Sequence, residues 1–313
     1  MKHNQIVIGT RSSKLALWQA DYVAGRLREA YPELTVTEQR MKTKGDKILD
    51  APLAKIGGKG LFTKELEQAM LEGEIDLAVH SLKDMPTEVP EGLKLAAITQ
   101  RAEPGDAFVS NKYAHFADLP QGARVGTSSL RRKAQLLHVR PDLQVESLRG
   151  NVNTRLQKLD DGLFDAAILA VAGLKRLGFG ARIAEVLPQN IILPAVGQGA
   201  LAIETRADDT ELLERIAFLN DAATAQCAVA ERAFLARVEG GCQVPVGVYA
   251  TPRSGQLHVE AVIAALDGQR LYRDSLTGPQ AAAQQLGTEL ADKLLAAGGL
   301  AILHELGLLL DRK

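Results

Sequence analysis

Short apolar runs alternate with amphipathic segments along the first two-thirds of the chain. The run at 5–9 has the pattern of a buried strand, and 13–30 has apolar positions at helical spacing. A half-buried strand is predicted over 35–41, a helix over 61–71 and a short buried strand over 76–80. Alternation of this kind predicts parallel sheets flanked by helices.

The same succession recurs after residue 120. Strands are predicted at 123–126, 143–148 and 165–170, with helices at 129–137 and 152–159 between them. The sequence therefore predicts a second α/β domain.

The two halves also share short stretches of sequence. Gly9-Thr10-Arg11-Ser12-Ser13 resembles Gly126-Thr127-Ser128-Ser129. The segment 60–66, followed by 75–78, resembles 150–156, followed by 164–167, at nearly the same offset. We therefore expect two similar α/β domains that face each other across a cleft, with ligands bound beyond the carboxyl ends of the strands.

Glycine and proline mark the expected domain boundaries. The segments 100–105 and 193–200 predict two crossings between the domains, after which an apolar strand returns to the first. A third, α+β region follows from about residue 222, with a hairpin at Asp267-Gly268 and helices at 280–297 and 299–309. The predicted domains are 1–99 with 200–220, then 100–199, then 221–313.

Composition narrows the functional classes. The 313 residues are 46% hydrophobic and 24% charged, as in a soluble globular protein. The net charge of −1 and an aromatic content of 4% argue against a nucleic-acid partner. The chain shows no secretory signal, no run of ~18 apolar residues and only two cysteines. We expect a cytoplasmic, monomeric protein that is not bound to a membrane.

Arginines and serines cluster where predicted strands turn into helices. A helix N-terminus binds anions through free N–H groups, and arginine adds a bidentate fork for carboxylate or phosphate. Each turn alone also fits an ordinary helix cap beside a solvated arginine. Their recurrence at the same end of parallel strands favours a small polyanionic ligand. The residues are Arg11, Ser12, Ser13, Ser128, Ser129, Arg131, Arg132, Arg149, Arg155, Lys175 and Arg176.

Cys242 lies between two glycines and a proline, in Glu239-Gly240-Gly241-Cys242-Gln243-Val244-Pro245. Such a setting predicts an exposed turn. Cys227 instead belongs to an amphipathic helix and is expected in a core. From the segment alone, Cys242 fits a site of covalent chemistry and a free surface thiol equally well.

Three other features have two interpretations each. Lys83 and Asp84 follow a buried strand and fit either proton chemistry or a local ion pair. The glycine-rich loop 55–60 lacks the pattern of a phosphate-binding loop and is either a lid or a solvated loop. His80, on an apolar strand, is expected in the core. No spacing typical of a metal site or of a nucleophile–histidine–acid triad occurs.

Taken together, the segments 55–61, 80–86, 126–132, 149–155, 194–199 and 231–245 resemble the porphobilinogen deaminase (hydroxymethylbilane synthase) family. The resemblance extends over about residues 5 to 250. It implies two periplasmic-binding-protein-like α/β domains and a C-terminal α+β domain. It also implies a transferase of haem and tetrapyrrole biosynthesis, which joins four porphobilinogen molecules on a dipyrromethane cofactor and releases ammonia.

The resemblance also implies residue roles. Asp84 falls on the catalytic aspartate, and Cys242 on the cysteine that holds the cofactor by a thioether. Cofactor-binding positions fall on Ser81, Lys83, Asp84, Thr127, Ser128, Ser129, Arg131, Arg132 and Gly150. Substrate-binding positions fall on Arg11, Ser13, Lys59, Phe62, Arg149, Arg155 and Arg176. No metal is implied.

A cytoplasmic two-lobed receptor for small anions is the alternative function. Such a receptor would bind its ligand without changing it. It has no use for a displayed anchor cysteine or for a carboxylate inside an anion site, so Cys242 and Asp84 distinguish the two functions.

Overall fold

The computed structural model describes residues 4–43, 45, 60–238 and 244–307. The chain divides into two compact units. Unit 1 comprises Met1–Ala102 and Ala200–Ala225, and unit 2 comprises Glu103–Gly199 and Gln226–Lys313. The finer division into three domains stays a prediction, as does the cleft between the first two.

Unit 1 is built on a five-stranded sheet. Its strands are β1 (Gln5–Arg11), β2 (Thr35–Met41), β3 (Leu77–Ser81), β4 (Leu93–Ile98) and β10 (Leu201–Arg206). Their spatial order is β2-β1-β3-β10-β4, and β10 runs antiparallel to both of its neighbours. The predicted return of the chain to unit 1 after residue 200 is therefore confirmed.

Helices α1 (Lys14–Ala30), α2 (Lys64–Leu71) and α6 (Thr210–Ile216) belong to unit 1. Ser13 caps α1, because its hydroxyl accepts a hydrogen bond from the N–H of Ala16. Ala20, Val23 and Leu27 of α1 are completely buried, at the spacing that lines one helix face. That face packs on the core strands and fixes the position of the capped end.

The sheet of unit 2 has the same plan. Its strands are β5 (Asp106–Val109), β6 (Arg124–Gly126), β7 (Gln144–Glu146), β8 (Ala166–Ala170) and β9 (Glu185–Leu187). The order is β7-β6-β8-β5-β9, with β5 antiparallel to both of its neighbours. Helices α3 (Leu130–Val139), α4 (Val152–Asp160) and α5 (Val171–Arg176) accompany it.

Two pairs of residues confirm the predicted repeat. Gly9 and Gly126 occupy matching strand positions, and a Cβ atom on either would lie within 3 Å of a neighbouring side chain. Asp76 accepts a hydrogen bond from the N–H of Val7 on β1 at 2.7 Å, and Asp165 accepts one from the N–H of Arg124 on β6 at 2.9 Å. The repeat therefore extends from backbone topology to individual contacts.

The C-terminal part of unit 2 is α+β, as predicted. Its antiparallel sheet contains β11 (Val246–Arg253), β12 (Gln256–Ala264) and β13 (Leu271–Pro279), and Gly268 at the predicted hairpin has φ +75°. Strand β11 is absent from the sequence prediction. Helices α7 (Ala222–Arg237), α8 (Ala283–Leu294) and α9 (Leu300–Glu305) complete the described chain, with a kink at Gly298 between the last two. The predicted fold class is confirmed.

Candidate active site

A pocket in unit 1 brings together several residues that the sequence singles out. It lies where β1 and β3 end and α1 begins. The residues that line it are Arg11, Ser13, Leu15, Ala16, Gln19, Phe62, Thr63, Val79, His80, Ser81 and Asp84. Cationic and hydroxyl-bearing side chains thus share this pocket with one half-buried carboxylate.

The cationic side of the pocket is formed at the end of β1. The guanidinium carbon of Arg11 lies 4.2 Å from the centre of the Phe62 ring, which fixes the cation by a cation–π contact. Next to it, the first turn of α1 carries the partial positive charge of a helix N-terminus. Both features favour a carboxylate ligand on this side.

Asp84 is held by a single turn of 3₁₀ helix, Leu82–Asp84, directly after β3. Leu82 is buried, and its N–H donates to the carbonyl of Ala200 at 3.0 Å. The N–H of Met85 closes the turn by bonding the Leu82 carbonyl. The carboxyl group of Asp84 therefore has a defined place in the pocket wall.

Gln19 is a pocket residue that the sequence analysis missed. Its side-chain amide donates to the Ser81 hydroxyl at 2.8 Å, although it lies on the buried face of α1. A polar residue at an apolar-face position was the available signal. Lys83 is half-buried in the same turn as Asp84 but does not line the described part of this pocket.

In unit 2, the N-terminus of α3 forms a second polar group of residues. Ser129 caps the helix by accepting from the N–H of Arg132, and Thr127 accepts from the N–H of Ser129 at 3.2 Å. The exposed Ser128 donates to the carbonyl of Leu148 at 2.8 Å. These residues occupy the place in unit 2 that Arg11 and Ser13 occupy in unit 1.

Arg131 and Arg132 are buried against Asp106, the first residue of β5. Arg131 Nη1 lies 2.7 Å from Asp106 Oδ2, and Arg132 Nη2 lies 2.6 Å from Oδ1. Burial alone raises the pKa of Asp106, but the charges and hydrogen bonds of the two arginines outweigh it and hold the pKa well below its usual range. The sequence analysis missed Asp106.

These contacts leave some N–H donors of Arg131 and Arg132 available to a ligand. A guanidinium has five N–H donors. Arg131 and Arg132 each make three hydrogen bonds within the described chain, which leaves two donors on each. With one carboxylate between two guanidinium groups, the cluster keeps a net charge of about +1.

Replacing Asp106 with Ala is expected to cost about 3–5 kcal/mol of unfolding free energy, because two buried cations lose their counter-ion. Denaturant titration measures this loss of unfolding free energy. Asp160→Ala, at the more exposed pair with Arg182, serves as control and should cost about 1 kcal/mol or less. Equal losses in both variants would contradict the assignment. Because the folded-state pKa of Asp106 is lowered, its contribution is complete above about pH 4 and is lost as the pH falls through that lowered value.

Three further arginines follow strands of unit 2. Arg155 Nε donates to the carbonyl of Gly150, whose φ of +115° suits glycine, and Arg176 Nη2 donates to the carbonyl of Gly199. Arg149 is half-buried, and its carbonyl accepts from Lys158 Nζ at 3.3 Å. The backbone contacts fix the turns from which these side chains extend.

Cys242 and Lys59 lie outside the described residues. Cys227 is buried in the C-terminal core of unit 2, as predicted. On the same helix, the buried Glu231 accepts from the N–H groups of Gly197 and Ala250 at 2.7 and 3.0 Å. It therefore joins α7 to the glycine-rich segment before β10 and to β11.

Among the residues that the structure describes, no group of three histidine, cysteine, aspartate or glutamate side chains is arranged to hold a metal ion. The described helices also include none that is long and apolar enough to cross a membrane.

Comparison with family models gives two matches. Residues 6–214 match "Porphobilinogen deaminase, dipyromethane cofactor binding domain". Residues 225–296 match "Porphobilinogen deaminase, C-terminal domain". The chain belongs to the porphobilinogen deaminase family. It is an enzyme, a transferase of tetrapyrrole and haem biosynthesis with a dipyrromethane cofactor and a small-molecule substrate, as the sequence resemblance predicts.

Individual relatives agree over nearly the full length. The porphobilinogen deaminase of Pelobacter propionicus is 56% identical over 305 residues, 97% of this chain and 98% of the relative. That of Geobacter sulfurreducens is 55% identical and covers 97% of this chain and 96% of the relative.

Among solved structures, the methionine binding protein MetQ superposes with a TM-score of 0.46 at 16% identity. The superposition covers 73% of this chain and 95% of that chain. The fold assignment rests on the strand pairings of the two sheets.

Proposed function

We propose that this enzyme joins four porphobilinogen molecules head to tail on a dipyrromethane attached to Cys242, then releases the linear tetrapyrrole hydroxymethylbilane by hydrolysis. One observation carries the proposal at the level of residues. Among the lining residues that the structure describes, Asp84 is the one carboxylate, and it shares the pocket with Arg11 and the capped start of α1. Anion-binding groups hold the substrate there, and the carboxylate carries the chemistry.

Asp84 stabilises positive charge and accepts a proton at the reacting carbon. The substrate's ammonium group leaves as ammonia when the C–N bond breaks, and the bonding electron pair goes to nitrogen. The remaining pyrrole is then a cation, and the carboxylate of Asp84 stabilises it. When the new C–C bond forms, one proton leaves the attacked ring carbon, and Asp84 is placed to accept it. One ammonia and one proton are released for each bond formed.

The side chains at α3 fit the dipyrromethane. This group carries acetate and propionate carboxylates and, when bound, supplies the carbon to which the first substrate is joined. Arg131 and Arg132 keep two N–H donors each, and their cluster with Asp106 is positive. Ser129 caps the adjacent helix end. We assign these residues, with Thr127 and Ser128, to the cofactor carboxylates.

Cations spread over several turns suit a ligand whose charge grows with each added unit. Every porphobilinogen brings two more carboxylates, so one pocket cannot neutralise the whole chain. We assign the growing chain's carboxylates to these scattered groups and the covalent anchor to Cys242. The substrate-binding set comprises Arg11, Ser13, Lys59, Phe62, Arg149, Arg155 and Arg176. Ser81, Lys83 and Gly150 are assigned to the cofactor.

We further propose a monomeric, cytoplasmic enzyme without a nucleic-acid partner. The net charge of −1 gives no long-range attraction to nucleic acid. We also propose that residues 221–313, most of which belong to unit 2, form a third domain carrying Cys242. A separate core in this part, which includes Cys227, Phe234 and Leu290, supports that division.

Arg149→Leu is expected to slow elongation while leaving the protein folded, because a half-buried cation that faces an anionic chain is lost. The rate of hydroxymethylbilane formation should fall by about 10²-fold or more. Mass spectrometry should show enzyme stalled with fewer substrate units attached. Arg253→Leu, at an exposed arginine of β11, is the control. Unchanged elongation in Arg149→Leu would contradict a role for Arg149 in binding the growing chain.

The proposed reaction is tested by its stoichiometry. Purified enzyme is incubated with porphobilinogen, and ammonia and hydroxymethylbilane are measured together. The proposal requires about four molecules of ammonia for each tetrapyrrole released. Binding of porphobilinogen without ammonia release would instead indicate a small-anion receptor.

A further inference from the structure

A buried group of ionisable side chains lies directly behind the pocket that contains Asp84. His80 on β3 places Nε2 3.1 Å from Oε2 of Glu204 on β10, and their side chains are only 5% and 0% exposed. Glu67 of α2 is also buried nearby. Burial raises the pKa of Glu67, and the charge of Glu204 adds to this effect.

The pair has few other partners. Neither carboxylate oxygen of Glu204 accepts a well-formed hydrogen bond within the described chain, and His80 Nε2 lies within ion-pair distance of Glu204 there. A buried carboxyl group without a partner is unfavourable, so Glu204 depends on its contact with His80. The two side chains therefore form one structural unit.

The repeat in unit 2 shows that the fold does not need this pair. Ala78 of β3 pairs with Glu204, and its counterpart, Ala167 of β8, pairs with Val109. By the same register, His80 corresponds to Leu169. Both apolar counterparts are buried in the core of unit 2. The same sheet position is thus filled by leucine and valine in one unit and by an ion pair in the other.

The location of the pair relates it to the reaction. His80 lines the same pocket as Asp84 and Arg11, whereas Glu204 is fully buried behind it. The imidazole of His80 therefore forms part of the pocket wall, on the strand that leads into the turn of Asp84.

We propose that His80, held by Glu204, is a positioning residue that sets the charge and shape of the pocket wall beside Asp84. This inference rests on the proposed role of Asp84. Other charged groups around the pair in the described chain are Glu67 of α2, and Arg11 and Asp84 of the pocket wall. Removing the pair changes the polarity and shape of the wall beside Asp84, so we expect the rate to depend on it.

The repeat supplies the variant for the test. The double variant H80L/E204V reproduces the Leu169–Val109 pair of unit 2. We expect a melting temperature at or above that of the wild type, because a buried ion pair gives way to apolar side chains. We also expect kcat to fall about tenfold or more, little change in KM, and a changed pH dependence of kcat.

Glu204→Gln is the second variant, since it keeps the shape of the side chain and removes its charge. It should reproduce the altered pH profile even if H80L/E204V folds poorly. A wild-type kcat and pH profile in either variant, with folding intact, would reduce the pair to a structural role and overturn the proposal. Failure of the wild-type enzyme to form hydroxymethylbilane would instead refute the proposed function.

Discussion

Asp84→Asn is expected to lower the turnover of porphobilinogen by about a thousandfold or more. Asparagine has nearly the shape of aspartate, so the Leu82–Asp84 turn and its bond to Ala200 are retained. What is lost is the negative charge that stabilises the cationic pyrrole and accepts its proton. Steady-state kinetics measures the loss, and single-turnover experiments should place it in the chemical step.

Two controls separate this loss from an indirect effect. Glu91→Gln changes an exposed carboxylate of the same unit and should keep full activity. The Asp84→Asn protein should also retain its cofactor and its melting temperature. Turnover within about tenfold of the wild type would exclude Asp84 from the proposed role.

Cys242→Ser is expected to abolish formation of hydroxymethylbilane. A hydroxyl is a far weaker nucleophile than a thiolate at neutral pH, so no stable anchor for the cofactor forms. Without an anchor, a slowly elongating chain is free to dissociate after each step. The assay is product formation after prolonged incubation with porphobilinogen.

Cys227→Ala is the matched control, since the chain has two cysteines and this one is buried. Removing its sulfur from the C-terminal core should cost about 1 kcal/mol of unfolding free energy. Activity should nevertheless remain. Full activity in Cys242→Ser would contradict attachment of the cofactor at Cys242. Loss of activity in Cys227→Ala alone would contradict it as well.

Structural features that depend on neighbouring residues in the sequence could be predicted well. The period of apolar residues predicts α1 and β2 nearly to the residue, and the paired glycines at positions 9 and 126 predict two sheets with one plan. Ser13 and Ser129 were identified as helix caps because serine before an amphipathic run satisfies free N–H groups. The proposed catalytic role of Asp84 comes from the family motif and not from the pattern of apolar residues.

Features that depend on distant pairing could not be predicted. Asp106 meets Arg131 and Arg132 because β5 runs back antiparallel beside β8. His80 meets Glu204 across 124 positions through the similar return of β10. Charge in the sequence shows that such residues need partners, but only the strand order shows which ones they find. The arginines at α3 therefore looked solvated or ligand-bound, whereas each also has a buried internal counter-ion.

The most direct test of a dipyrromethane attached to Cys242 is the intact mass of the purified enzyme, measured beside that of Cys242→Ser. We expect the wild type to exceed its sequence mass by one dipyrromethane and to gain further porphobilinogen-derived units when substrate is added. The Cys242→Ser protein should have its sequence mass under both conditions. A wild-type mass equal to that of the bare chain, before and after incubation with porphobilinogen, would contradict the account.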